Sequence, residues 1–322
     1  LYYHRENLSE DRFKSVWSKR RPIVVKGTEH YFQSRWTPQS FALQFGETVC
    51  EIENCESGEI KKEKLANFFS MFGEKMTPHR PSLKLKDWPP KDRFKDLFPI
   101  LHQDFEAAVP VPAYTTSRGV MNLAAHFPAT LVAPDIGNDL YDYSGPKMYI
   151  ALGSVFDDQH SGSTRLHLDL SDAVNILMWA SRTADDRPGS ALWHIFAKED
   201  APDIRKFLRT IPGDSGRLIG DPIHDQSTYL TKSSLDQLYS RFGVRPYIIR
   251  QFVGDAVFIP AGCAHQVCNL ADCIKIASDF VSPESVPICK SLSQEFRIQR
   301  LTQGWPADVI PFEHMLYNTW IS

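Results

Sequence analysis

The sequence has few cysteines, and none of them forms a C-x-x-C pair. Six cysteines occur in 322 residues, and Cys263, Cys268 and Cys273 follow one another at intervals of five. Structural zinc sites often contain C-x-x-C pairs, and because the sequence has none, no zinc site is expected from these cysteines. A disulfide framework is not expected either, and a reduced intracellular setting is favoured.

Long apolar runs and a strong positive charge are absent too. No stretch of 18 apolar residues is present, so no membrane span is predicted. The first 15 residues are rich in charged side chains, so no secretory signal peptide is predicted in this sequence. The net charge is −3, whereas domains that hold duplex DNA are usually basic, so sequence-specific nucleic-acid binding is not expected. The chain begins at Leu1 and not at Met, from which we expect a domain excised from a longer protein.

Helical patterns dominate the first part of the chain. Apolar residues at helical spacing, with Ser9 as a candidate N-cap, predict a helix over residues 8–20. Further helices are predicted over residues 38–45 and 65–72, and strands over residues 23–25 and from residue 83 to the prolines at 89–90.

From Lys147 onward, short apolar runs divided by Gly, Pro, Asp or Ser indicate many strands joined by tight turns. Helices are predicted between or after them, over residues 201–209, 234–242 and 291–301. This pattern of short strands and tight turns is typical of a β-sandwich or barrel. Because 42% of the residues are hydrophobic, one compact unit with a sizeable core is expected.

The triplet His167-Leu168-Asp169 opens the β-rich run and is the first candidate for a metal site. A strand points alternate residues to the same side, so both polar side chains can reach one ion. Two histidines and one carboxylate form the facial triad of non-haem iron(II) oxygenases. The pattern alone is weak, because similar His-x-acid triplets begin at His4, near the end of the chain, and at His102, in a predicted helix.

His265 is the candidate for the second histidine. The segment GDAVFIPAGCAHQV, residues 254–267, reads as a turn, an apolar strand, a Pro-Ala-Gly turn and then His265. In double-stranded β-helix oxygenases the distal metal ligand follows such a turn. The alternative is a core or loop histidine without a metal. Three other histidines are weaker candidates: His194 inside a strand, His224 in a polar loop and His314 near the end of the chain.

Lys275 lies between two isoleucines in the predicted strand CIKIASDF. Burial of an unpaired charge is costly, and the far carboxylate of 2-oxoglutarate would remove this cost, because it needs a cation and a hydroxyl. Oxygenases of this superfamily commonly use a basic residue shortly after the distal histidine. The alternative is an outward-facing, solvated lysine. A metal-dependent dioxygenase that does not use 2-oxoglutarate would have no role for Lys275.

Two further residues are candidates for the same pocket. Thr164, three residues before His167, matches the position where related hydroxylases place a hydroxyl that binds 2-oxoglutarate. Asn175 shares strand parity with His167 and Asp169, which predicts a position beside the iron. A buried structural asparagine is the alternative for Asn175.

Taken together, these motifs resemble the JmjC domain of the histone lysine demethylases of the JmjC-domain-containing-one group, which includes the hairless protein. The resemblance covers nearly the whole chain. Its segments are RPIVVKG (21–27), LKLKDWPP (83–90), GPKMYIALG (145–153), LHLDLSDAVNILMW (166–179), ALWHIFAKED (191–200), DPIHDQSTYL (221–230), QFVGDAVFIPAGCAHQVCNL (251–270) and CIKIASDFVSPE (273–284).

The resemblance implies a mainly β fold with flanking helices, the double-stranded β-helix (jelly-roll, cupin-like) JmjC fold. Residues 1–322 would form a single JmjC catalytic unit. Within it we expect a mostly helical N-terminal elaboration (1–145), a jelly-roll core (146–285) and a C-terminal helical segment (286–322).

The resemblance also implies an activity: iron(II), 2-oxoglutarate and O₂ would remove methyl groups from mono- and dimethylated lysine at the ninth position of the histone H3 tail, in the nucleus. Tyr149 would lie near the methylammonium group, where related demethylases place a tyrosine, although a core aromatic is the alternative. Asp157, Asp158 and Asp225 would attract the basic tail, unless they are ordinary solvated turn residues. The alternative functions are a protein side-chain hydroxylase and a catalytically silent chromatin scaffold.

Overall fold

The structure, a computed structural model, describes residues 1–74, 80–90, 92–126, 145–157, 162–211, 220–303 and 312–322. Within these ranges the helices are α1 (Glu10–Trp17), α2 (Pro38–Phe45), α3 (Leu65–Ser70), α4 (Phe94–Leu97), α5 (Pro99–Ala108), α6 (Pro112–Thr115), α7 (Ala201–Leu208), α8 (Lys232–Phe242), α9 (Val286–Gln303) and α10 (Phe312–Ile321). None of the helices in these ranges is both long enough and apolar enough to span a bilayer.

The strands are β1 (Tyr2–His4), β2 (Ile23–Lys26), β3 (Val49–Asn54), β4 (Ile60–Lys64), β5 (Leu83–Trp88), β6 (Lys147–Ala151), β7 (Thr164–His167), β8 (Asp172–Ala180), β9 (Ser190–Ile195), β10 (Tyr247–Phe252), β11 (Ala256–Ile259), β12 (His265–Asn269) and β13 (Cys273–Phe280). They form a nine-stranded sheet in the order β1-β2-β11-β8-β13-β6-β5-β3-β4 and a four-stranded sheet in the order β10-β9-β12-β7. The β1–β2 pair is parallel, and the pairs of the four-stranded sheet are antiparallel.

Apolar side chains from both sheets meet in a shared interior. This interior cluster consists of Val24, Ala173, Ala191, Trp193, Ile195, Ile249, Val257, Ile259, Cys263 and Val267. Two mainly antiparallel sheets packed face to face are the jelly-roll arrangement, and the predicted fold class, mainly β with flanking helices, is confirmed. Because side chains alternate along a strand, every second residue of β6, β8, β12 and β13 points into this interior.

The outer face of the nine-stranded sheet is covered by the N-terminal helices. Phe13 and Trp17 of α1 are fully buried, and their rings lie 5.2 and 6.1 Å from that of Phe258 in β11. These contacts belong to the largest apolar cluster of the described residues. The helix therefore packs on the sheet side opposite the shared interior.

The start of α1 depends on Ser9, as predicted. The Ser9 hydroxyl accepts a hydrogen bond from the Arg12 N–H at 3.3 Å, which satisfies a donor that the first turn leaves unpaired. We expect Ser9→Ala to lower the free energy of unfolding by about 0.5–2 kcal/mol, measured by urea denaturation. Ser9→Asp keeps an acceptor at the N-cap and is the matched control. Equal losses in both variants would contradict a capping role.

Most of the predicted elements are confirmed, with two differences. The closing helix α9 begins at Val286 rather than Ser291, because Pro287 falls in its first turn, where a missing N–H is tolerated. The N-terminal 145 residues, expected to be mostly helical, also contribute strands β1 to β5 to the nine-stranded sheet. The division of the chain at residues 145 and 285 stays a prediction.

Candidate metal centre

Two of the three predicted metal ligands lie on neighbouring strands of the four-stranded sheet, and the third follows one of these strands. His167 ends β7, Asp169 follows in the loop to β8, and His265 begins β12. β7 and β12 pair antiparallel, with His265 directly opposite His167. The fold thus brings together residues that lie far apart in the sequence.

The donor atoms of His167, Asp169 and His265 all lie within 4.8 Å of one another. The Asp169 carboxylate oxygens lie 3.7 Å from Nε2 of His167 and 3.6 Å from Nε2 of His265. Two ligands at right angles, each about 2.1 Å from one metal ion, are separated by about 3 Å. Small side-chain rotations would shorten the observed distances of 3.7 and 3.6 Å to this value. The three residues therefore fit one divalent ion in a facial arrangement.

Each imidazole is oriented by a hydrogen bond from Nδ1. The Nδ1 atom of His167 lies 2.9 Å from the Arg165 carbonyl oxygen, and that of His265 lies 3.0 Å from the Cys263 carbonyl oxygen. A carbonyl only accepts, so both Nδ1 atoms carry the proton and both Nε2 atoms keep a lone pair. Burial, with the neighbouring His167 ring, lowers the pKa of His265 to about 4. The neutral imidazole is the form that binds metal ions.

The turn at residues 260–262 determines where His265 enters its strand. Gly262 has a φ of +76°, a left-handed conformation that glycine adopts without strain. Its N–H donates to the Asp169 carbonyl at 3.0 Å, and an added Cβ would lie only 3.2 Å from Leu292. The Pro-Ala-Gly turn therefore joins the backbone of one candidate ligand to the segment that leads to another.

Lys275 points into the shared interior. Its ammonium lies 5.1 Å from the centre of the Trp193 ring and donates to Oδ1 of Asn269 at 2.6 Å. The residue is 4% exposed, and burial lowers the pKa of its ammonium. No carboxylate among the described residues pairs with it. The alternative of an outward-facing, solvated lysine is therefore wrong, whereas cosubstrate binding by Lys275 stays a prediction.

Sequence reasoning missed Asn269, the polar partner of Lys275. Asn269 is 5% exposed and ends β12 opposite Ala191. It lies four residues after His265 in the same strand, so both side chains point to the same side. Strand parity counted from His265 would have identified it.

Thr164 and Asn175 also lie on the inward side of their strands. Thr164 begins β7 opposite Val267, whose side chain belongs to the interior cluster. Asn175 is 9% exposed, and its backbone oxygen and Oδ1 accept from Nε2 of Gln251 at 2.9 and 3.4 Å. The contact with Gln251 keeps a structural role open for Asn175, and cosubstrate binding by either residue stays a prediction.

Tyr149 lies in β6 directly opposite Lys275 of β13, so it faces the same interior. It is half-buried, and its hydroxyl donates to Oδ1 of Asp87 at 2.8 Å. Asp87 has a φ of +54°, which is uncommon for a residue with a side chain. The predicted position of Tyr149 beside a methylammonium group stays a prediction.

The loop acids expected to attract a basic tail are only partly described. Asp157 and Asp225 are half-buried, and Asp158 lies outside the described residues.

His194 lies within β9, as predicted, and burial lowers its pKa to about 4. It is therefore a neutral histidine of the sheet.

His224, expected in a polar loop, is buried instead. Its side chain is 1% exposed, and its ring lies 4.3 Å from that of Phe296. With Asp221 and Glu295 it forms a second group of close donor atoms. Arg205 donates to both carboxylates, at 2.5 and 2.8 Å. A guanidinium already compensates their charge, so we assign no metal to this group.

Comparison with known proteins gives one family model and several relatives that match the chain. Residues 159–280 match the family model described as "JmjC domain, hydroxylase". The chain is 37% identical to lysine-specific demethylase 3A of Mus musculus, with 95% of the chain and 26% of that protein covered. It is 34% identical to lysine-specific demethylase 3 of Drosophila melanogaster, with 95% of the chain and 40% of that protein covered.

A third relative is the probable JmjC domain-containing histone demethylation protein 2C of Homo sapiens. It is 32% identical, with 95% of the chain and 13% of that protein covered. The chain thus spans less than half the length of these relatives, but nearly all of it takes part in each match. The chain belongs to the JmjC-domain family, in the group that includes lysine-specific demethylase 3A.

Proposed function

We propose that the chain is an iron(II)- and 2-oxoglutarate-dependent oxygenase that demethylates mono- and dimethylated lysine at the ninth position of the histone H3 tail. The observation that carries the proposal is the convergence of two free Nε2 atoms and one carboxylate beside the shared interior. The names of the matched relatives, which are lysine-specific demethylases, support the substrate class.

The donor set suits iron(II). Two imidazoles and one carboxylate occupy one face of an octahedron and leave positions for a bidentate cosubstrate and O₂. When bound, iron, 2-oxoglutarate and O₂ would supply the oxidising chemistry: one oxygen atom of O₂ would enter succinate as CO₂ is lost, and the other would leave with the methyl carbon as formaldehyde. The three residues His167, Asp169 and His265 would hold the metal.

The other residues of the interior would bind and orient. Lys275 would pair with the far carboxylate of 2-oxoglutarate, aided by the Thr164 hydroxyl, and Asn175 would line the pocket near the metal. Burial strengthens such a pair, because the ammonium has already lost its water and a bound carboxylate restores a partner. This division of roles needs no side-chain base.

We also propose how the histone tail is recognised and where in the cell the protein acts. A methylated lysine is a cation with an apolar shell, and an aromatic face attracts it by about 0.5–2 kcal/mol. Tyr149 is the aromatic residue proposed for this contact. A histone substrate implies a nuclear location.

A second candidate function is hydroxylation of a protein side chain. The matched family model carries the word hydroxylase in its description, and the same metal and cosubstrate residues would serve that reaction. The two functions differ in the product, because a hydroxylase leaves a stable alcohol and a demethylase releases formaldehyde.

The test incubates the protein with iron, ascorbate, 2-oxoglutarate and histone H3 peptides that are mono-, di- or trimethylated at the ninth lysine. We expect the mono- and dimethylated peptides to lose one CH₂ unit per event, seen by mass spectrometry, with an equal amount of formaldehyde. The trimethylated peptide should react much more slowly.

Controls separate the rival functions. A peptide methylated at the fourth lysine tests the position, and the His167→Ala protein gives the background. Gain of one oxygen atom without formaldehyde would make the chain a hydroxylase. Unchanged peptides together with intact 2-oxoglutarate binding would make it a scaffold.

A further inference from the structure

We infer that the buried carboxylate of Asp172 is a positioning residue that holds the metal-ligand segments in register and connects them to the N-terminal helix α1. The inference rests on the proposed role of His167, Asp169 and His265 as metal ligands. It concerns a residue three positions after Asp169 that the sequence patterns do not single out.

Asp172 is fully buried, yet its carboxylate is surrounded by donors. Oδ1 accepts from the Ala261 N–H at 2.9 Å and the Ser285 hydroxyl at 2.6 Å. Oδ2 accepts from the Ser282 N–H at 3.1 Å and the Ser282 hydroxyl at 2.6 Å. A carboxylate out of water is stabilised only by such a set of donors, so its charge dictates the arrangement of the groups around it.

One of these donors belongs to the turn that leads to the candidate ligand His265. Ala261 lies in the Pro-Ala-Gly turn, where the next N–H, of Gly262, donates to the Asp169 carbonyl at 3.0 Å. One residue further, the Cys263 carbonyl accepts from Nδ1 of His265 at 3.0 Å. Asp172 thus fixes one end of a short segment that orients two of the three candidate ligands.

The serine donors are fixed from the other side by α1 and the residues after it. The Ser282 hydroxyl accepts from Trp17 Nε1 at 3.2 Å, and the Ser285 hydroxyl accepts from Nη1 of Arg20 at 2.7 Å. Each serine hydroxyl in turn donates its single hydrogen to a hydrogen bond with the Asp172 carboxylate. The guanidinium of Arg20 faces the carboxylate through Ser285 and partly balances its charge.

This geometry makes Asp172→Asn a sharp test. The variant has the same shape, but one carboxylate oxygen becomes an NH₂ group. On the Oδ1 side the NH₂ would meet the Ala261 N–H, and on the Oδ2 side it would meet the Ser282 N–H. A hydroxyl can either donate or accept a hydrogen bond, but a backbone N–H can only donate. In either orientation of the asparagine, its NH₂ group therefore faces another donor, and one hydrogen bond is lost.

The measurement is the affinity of the protein for Mn(II), followed by electron paramagnetic resonance of the free ion, with Co(II) absorption as a second readout. We expect Asp172→Asn to weaken Mn(II) binding by about 10- to 100-fold, the usual effect of losing a residue that supports metal ligands. Ser285→Ala removes one donor and should give a smaller loss and a changed Co(II) spectrum.

The matched control is Phe41→Leu in α2. Phe41 is buried among the rings of Trp36, Phe69 and Trp88. This change therefore lowers stability without altering the hydrogen bonds of Asp172. The inference predicts unchanged Mn(II) affinity in Phe41→Leu at a similar loss of thermal stability. Equal affinity in Asp172→Asn and the wild type, or equal losses in both variants, would overturn it.

The outcome is separable from the proposed function. A wild-type protein that binds Mn(II) but leaves methylated peptides unchanged would remove the demethylase proposal, whereas the effect of Asp172→Asn on the affinity would still decide the positioning role. A wild-type protein that does not bind Mn(II) would overturn both.

Discussion

The His167→Ala protein is expected to fold normally and to lose essentially all turnover of 2-oxoglutarate and peptide. His167 supplies one of three proposed ligands, and a catalytic metal contributes several kcal/mol to the reaction, so the rate should fall by about a thousandfold or more. The side chain is 18% exposed and lies against the His265 ring, with 4.2 Å between ring centres. His167 belongs to none of the apolar clusters among the described residues, so its truncation leaves those clusters intact.

Succinate formation measures the turnover, and Mn(II) binding measures the site directly. His30→Ala is the control, because the His30 side chain is 79% exposed and its loss should change neither quantity. Thermal unfolding should place His30→Ala within about 0.5 kcal/mol of the wild type and should show that His167→Ala still unfolds cooperatively. A His167→Ala protein that still binds Mn(II) tightly and turns over 2-oxoglutarate would end the assignment of the ligand.

Lys275→Met should raise the KM for 2-oxoglutarate by about 30-fold or more. The variant keeps an unbranched apolar stem but removes the ammonium that would pair with the far carboxylate. Loss of one partner from a buried, hydrogen-bonded charge pair costs about 2–5 kcal/mol, and each 1.4 kcal/mol is about tenfold in affinity. The KM for the peptide should stay near that of the wild type.

Stability provides the control for Lys275. Burial already lowers the pKa of this ammonium, so removing it should leave the free energy of unfolding of the ligand-free protein unchanged or raised. Asn269→Ala removes only the neutral partner and should raise the KM less. If Lys275→Met left the KM for 2-oxoglutarate unchanged, another cation would bind the carboxylate. Lys147 would be the next residue to test, because it lies in β6 two residues before Tyr149 and faces the same interior.

The sequence predicted those parts of the fold whose residue pattern is local. Helix α1 was predicted from Ser9 and from the spacing of Phe13 and Trp17, and α2 from Pro38 to Phe45. Strands β3 and β4 were missed, because β4 (IKKEK) consists mostly of charged side chains and is largely exposed. Such a strand is held by pairing with β3 across a hairpin rather than by an apolar face.

In the candidate site, too, the residues with a local signal were predicted, and those that depend on distant contacts were missed. His167, Asp169 and Lys275 could be singled out because their chemistry contrasts with the apolar strands around them. The role of Asp172 could not, because it depends on Ser282 and on the Ala261 N–H, a contact about ninety residues away that only the folded backbone creates. The burial of His224 was missed for a similar reason, since Phe296 covers its ring from a distant helix.

The aromatic contacts between α1 and the nine-stranded sheet determine where the chain can be divided. A fragment limited to residues 146–285 would leave Met148, Ile176 and Phe258, all fully buried in the intact chain, on an uncovered sheet face. Exposed apolar surface of this kind promotes aggregation. Such a fragment is therefore not a transplantable module, and any exchange of this region between relatives has to carry the N-terminal helices along with the jelly-roll core.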